Sequence, residues 1–164
     1  MIIFFNTKKS EYLKKNNTMG LDMTAYKTKS PINKPVDFEF PQNRSLVEGD
    51  ESDSVVRSEH ESIQIMYWRK HSNLQGWFHN LYDQKGGSSL EFNCVNLELT
   101  RYDLLDLKQV IENSQLPYTE GFFYGESYHD DDHKKQRDEE DIEFIEEALS
   151  AIESGYNIYY SAWY

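Results

Sequence analysis

Apolar and polar positions begin to alternate at Gly20, where Leu21, Met23 and Ala25 are interleaved with Asp22 and Thr24. That is the period of a half-buried strand. Residues 1–18 show no such period and end in a lysine- and asparagine-rich run, so they read as a basic, flexible N-terminal lead to a single domain spanning 19–164. Residues 28–60 carry three of the four prolines and the stretch EGDESDS, a polar excursion with room for one short strand at Val36 to Phe40. Ile63 and Ile65 alternate briefly. The run from Tyr67 to Tyr82 then fits a helix on which Tyr67, Leu74, Phe78 and Leu81 form a stripe, His71 falls inside it, and Gly76 lies on the solvent side.

Val95, Leu97 and Leu99 alternate as the next strand, and Thr100 with Asp103 has the form of a capping signal for a helix presenting Leu104, Leu107 and Ile111. Gly121–Gly125 encloses Phe122, Phe123 and Tyr124 and reads as a short aromatic strand in a central position. Ile142, Ile145, Leu149 and Ile152 define a third helix, with Gly155 as its C-terminal stop. On this pattern Phe144 projects away from the apolar stripe. In the closing segment Tyr156, Ile158, Tyr160 and Ala162 share one face and Tyr159 and Trp163 the other. Short, alternating, aromatic strands and singly striped helices predict an α+β fold: a mixed or largely antiparallel sheet of four to five strands, with about three helices packed mainly on one face.

Charge adds a direction to this picture. The chain of 164 residues carries a net −12, but residues 1–34 are +5 and the remainder is −17. An anionic body repels the phosphate backbone, which makes direct nucleic-acid binding unfavourable and a basic partner favourable. With 15% aromatic residues the body has ample apolar surface to fold. A lone cysteine, Cys94, excludes an internal disulfide and reads as a small near-core side chain in a reducing, cytoplasmic setting. No run reaches the roughly 18 apolar residues of a membrane helix.

Three places hold residues with chemistry to offer. His129, Asp131 and His133 sit in HDDDH, where two imidazoles at i and i+4 and neighbouring carboxylates have the makings of a zinc or manganese shell, but such runs are usually solvated loops leading into an acidic helix start. No metal or other cofactor is expected. Trp68 and Arg69, with Tyr124 and Tyr160, are the candidates for a ligand cleft built by arginine pairing and aromatic stacking. Glu139, Glu140, Glu143 and Glu147, with Phe144 as an aromatic anchor, are the candidates for a partner-binding face. Phosphate-loop, dinucleotide-binding and nucleophile-elbow motifs are absent from the sequence.

The segments MGLDMTAY, YWRKHSNLQGWF, GFFYGES and YYSAW together resemble a group of small bacteriophage proteins that have no established activity. The resemblance spans about residues 19–27, 64–126 and 140–164, and implies a phage-encoded protein in the cytoplasm of a bacterial host. Set beside the charge, it leads to the expectation of a non-enzymatic, acidic interaction protein directed at a host or defence protein, nucleic-acid mimicry included. A small-ligand protein or enzyme using the Trp68 cleft, and a minor virion component, are the alternatives.

Overall fold

The computed structural model describes residues 20–39, 62–125 and 131–164. Strands β1 (Asp22–Thr28), β2 (Ser62–Arg69), β3 (Asn96–Leu99) and β4 (Asn157–Trp163) form one sheet in the order β2-β1-β4-β3, antiparallel at every junction. Helix α1 (Ser72–Gln84) follows β2, α2 (Arg101–Glu112) follows β3, and α3 (Asp131–Glu153) leads into β4. The α+β class with a four-stranded antiparallel sheet is the one that the pattern predicts.

Alternation fixes the inner face. Met23 and Ala25 of β1 lie opposite Ala162 and Tyr160 of β4, Trp68 of β2 pairs with Met23, and Leu97 and Leu99 of β3 pair with Tyr160 and Ile158. All of these side chains are buried. Against them α1 lays Phe78, stacked on Tyr160 at 3.9 Å between ring centroids, and α3 lays Phe144, edge-on to Trp68 at 4.9 Å. Helix α2 buries Leu104, Leu107 and Ile111 and packs against α3. Its start is the expected capping box: the Thr100 hydroxyl accepts from the Asp103 amide while the Asp103 carboxylate accepts from the Thr100 amide. Helix α3 stops at Gly155, whose φ of +83° lets the Tyr156 amide turn back to the Ala151 carbonyl.

Several local expectations change. Residues 62–84 are not one helix with a preamble but an eight-residue strand and a separate helix. Pairing with β1 holds the chain extended to Arg69, Lys70 breaks it with φ +53°, and His71 starts the helix as its N-cap. Tyr67 consequently leaves the core for the opposite face and is 44% exposed. Val36 makes one bridge to Leu97 in place of a strand. Gly121–Gly125 is a tight turn whose ends bridge each other, leaving Phe122 exposed; the Leu21 amide, just before β1, donates to the Phe123 carbonyl. Cys94 is exposed with φ +57°, because its amide is held by the Ala162 carbonyl just before β3 begins.

Gly76 does not face solvent. A Cβ there would lie 1.9 Å from the Thr119 Oγ1, so this position admits the close passage of the chain after Pro117.

Candidate functional site

Among the described residues, a concentrated group of polar side chains is internal. Asp141, on the sheet-facing side of α3, is fully buried and accepts from the Trp68 indole N–H and from His71 Nε2, each at 2.8 Å. His71 Nδ1 accepts from the Leu74 amide at 3.4 Å. A carboxylate–imidazole pair is the raw material of general-base catalysis, but both ring nitrogens here are occupied and the ring is buried. The arrangement satisfies buried polar groups and ties α3 to β2 and to the start of α1. Beside it the Tyr160 hydroxyl donates to the buried Gln75 side chain. Burial, together with the nearby Tyr124 and Tyr164 phenols, raises the Tyr160 phenol well above its ordinary value.

Of the four cleft candidates, Trp68 and Arg69 line one surface cleft and Tyr124 and Tyr160 are not among its described lining residues. Trp68 and Tyr160 turn to the core, and Tyr124 packs edge-on against Tyr164 at 5.1 Å. The cleft that Trp68 and Arg69 line has a volume of about 300 Å³ and is shared with Tyr67 and the α3 residues His133, Gln136, Arg137 and Glu140. His133 therefore belongs to the first turn of α3, opposite β2. His129 lies outside the described residues, and Asp131 opens α3. Among the described residues, no group of three histidine, cysteine, aspartate or glutamate side chains is placed to hold a metal ion.

The partner candidates divide. Glu139, Glu143 and Glu147 are exposed and Glu140 is half-buried; with Glu146 they occupy the outward arc of α3. Phe144 is only 2% exposed, a correction to its reading as a surface anchor. Helix α3 rests on both the sheet and α2, so its buried arc is wider than the isoleucine stripe suggests and takes in Asp141, Phe144, Ala148 and Ala151.

The outer face of the sheet holds a further group of residues that no sequence motif marks. Three cross-strand pairs of β1 and β4 lie there in succession: Asp22 with Trp163, Thr24 with Ser161, Tyr26 with Tyr159. Tyr26 stacks on Tyr159 at 4.9 Å, and Phe38 meets Tyr159 edge-on at 5.7 Å. Small hydroxyl residues between aromatic rows leave a concavity of about 800 Å³, walled on one side by Asp37, Phe38 and Glu39 and by Cys94, Val95 and Asn96. The wall is pinned to α1. Asp37 accepts from the Tyr82 hydroxyl at 2.5 Å and from the Ser88 amide and hydroxyl at 3.0 Å each. Burial pushes the Asp37 carboxyl up, but these hydrogen bonds and the nearby Lys34 outweigh it and hold it below its ordinary value. At the other end Asp22 accepts from the Tyr67 hydroxyl; burial first, and that carboxylate second, push the Tyr67 phenol up to about 12. The signal was the alternation itself, which assigned Tyr159 and Trp163 to a common face without showing what lay between them.

Comparison of the chain with protein-family models, with curated proteins and with solved structures finds no match, so the geometry above is the basis for function.

Proposed function

We propose that this protein is a non-enzymatic interaction protein that docks a basic partner on the outward face of α3. The observation that carries this reading is the line of Glu139, Glu140, Glu143, Glu146 and Glu147, five carboxylates within about 12 Å of helix. Three of them face lysines across 3.3–4.0 Å: Lys135 with Glu139, Lys108 with Glu146 and Lys27 with Glu147. Exposed pairs of this kind are worth about 0–1 kcal/mol, so a partner's arginine or lysine competes with them readily. The line is also sparser than duplex DNA, which carries one charge per about 1.7 Å, and this favours a basic protein surface over close imitation of a duplex.

Burial of Phe144 removes the one aromatic anchor from this face and leaves electrostatic attraction as its means of recognition. The resemblance to small phage proteins supports a host or defence protein as the partner, met in the host cytoplasm. No helix among the described residues is long and apolar enough to cross a membrane.

Affinity capture from a bacterial lysate tests the proposal, using the native chain and a variant with Glu139, Glu143, Glu146 and Glu147 changed to lysine. A basic protein retained by the native chain at about 0.05 M salt, and lost both at about 0.5 M salt and from the variant, is the expected result. Retention of the same protein by both chains at both salt concentrations would refute it.

A further inference from the structure

The outer face of the sheet is a second recognition surface, and its chemistry selects a ligand. Its floor is the Thr24–Ser161 pair, two short hydroxyl side chains that are cross-strand partners. One wall is Trp163, 61% exposed, while the other two tryptophans are buried. The opposite wall is the Tyr26–Tyr159 stack with Phe38 on its edge. From Trp163 to Tyr159 is four strand residues, about 13 Å. Asp22, Asp37 and Glu39 are among the residues lining the concavity, with the Asp37 carboxylate turned to Tyr82 and Ser88; no lysine or arginine is among its described lining residues, and Arg69 lies across from Asp22 on β2.

An exposed indole beside a carboxylate favours a cation twice over: the ring face attracts it, and the carboxylate hydrogen-bonds it. The same carboxylates repel phosphates and acidic peptides. Guanidinium suits the site better than ammonium, because its plane stacks on a ring while its edge donates to an oxygen. Two such groups four residues apart on an extended chain match the separation of the two aromatic walls.

We propose that this concavity binds an extended partner segment bearing arginine or lysine, its cationic side chains laid against Trp163 with Asp22 and against the Tyr26–Tyr159 wall. The proposal shares with the reading of α3 only the sign of the partner's charge, and it uses a surface on the other side of the sheet.

The test is titration of the isotopically labelled full chain with acetyl-Arg-Gly-Gly-Gly-Arg-amide at about 0.15 M salt, followed by nuclear magnetic resonance. Saturable shifts at the Trp163 indole and at the Thr24, Tyr26 and Ser161 amides are expected. Affinity should fall about tenfold or more in Trp163→Ala and in Asp22→Asn. Ser161→Leu, which fills the floor from outside the core, should give the same loss. Spectral dispersion reports in each case that the variant is folded. The fourfold glutamate-to-lysine variant of α3 should bind within about threefold of the native chain, since charges beyond a Debye length of about 8 Å are screened.

Shifts confined to α3, an equal response to acetyl-Glu-Gly-Gly-Gly-Glu-amide, or no saturable shift at all would each overturn the proposal. The first of these outcomes would leave the reading of α3 standing, so the two fail separately.

Discussion

His71 Nε2 lies 2.8 Å from a carboxylate oxygen of Asp141, a residue 70 positions along the chain, and both side chains are buried. Because the same carboxylate also accepts from Trp68, it joins the end of β2, the start of α1 and the middle of α3 at one point. Removing it strands two buried donors. Asp141→Ala should therefore destabilise the protein by about 3–5 kcal/mol, the usual cost of taking one partner from a buried polar pair. Denaturant unfolding measures this, and a loss below about 1 kcal/mol would show that water replaces the carboxylate at no great cost.

Phe144→Ala should cost about 3–5 kcal/mol, as expected for a buried phenylalanine replaced without collapse of the site. The ring sits edge-on to Trp68 at 4.9 Å, so the Trp68 fluorescence should change as well. A surface anchor would instead leave stability within about 0.5 kcal/mol of the native value.

Gly76→Ala separates two accounts of one glycine. On a solvent-facing helix position alanine would gain about 1 kcal/mol. Here its methyl group meets Thr119 Oγ1 at 1.9 Å and Cβ at 3.0 Å, so a loss of about 1–3 kcal/mol is expected. Combining it with Thr119→Ala should recover most of that loss, a coupling that thermal unfolding of the single and double variants would reveal.

Acid stability should depend on Asp37. Its carboxyl is held below the ordinary value of 3.8, so the folded state binds this proton less readily than the unfolded chain does. The stabilisation is present above 3.8 and is lost as pH falls through the lower, folded value. In Asp37→Asn the midpoint of thermal unfolding should start lower at neutral pH and decline less steeply below pH 3.8 than in the native chain. Parallel declines in the two proteins would show that Asp37 does not govern this window.

Features that depend on neighbours a few residues away can be read directly from the chain. The Thr100–Asp103 capping box, the glycine stop at Gly155, the alternation of β1 and β4, and the inward face of α2 were all legible, because caps and periodicity are properties of one element. The net charge of −12 is likewise written in composition.

Where Tyr67 and Trp68 point depends on long-range pairing with β1. Residues 67–82 satisfy a helical stripe, and pairing with β1 overrides it as far as Arg69 because strand hydrogen bonds and the burial of Trp68 are gained together. The same reason explains Phe144: a helix touching two neighbours buries a wider arc than its most apolar residues mark, and the number of neighbours is not a local property. It explains Gly76, whose constraint comes from a segment more than forty residues away. It also explains the concavity beside Trp163. Alternation in β4 assigns a residue to a face, but whether that face is covered or open depends on where every other element has packed, and here all the described helices lie on the other side.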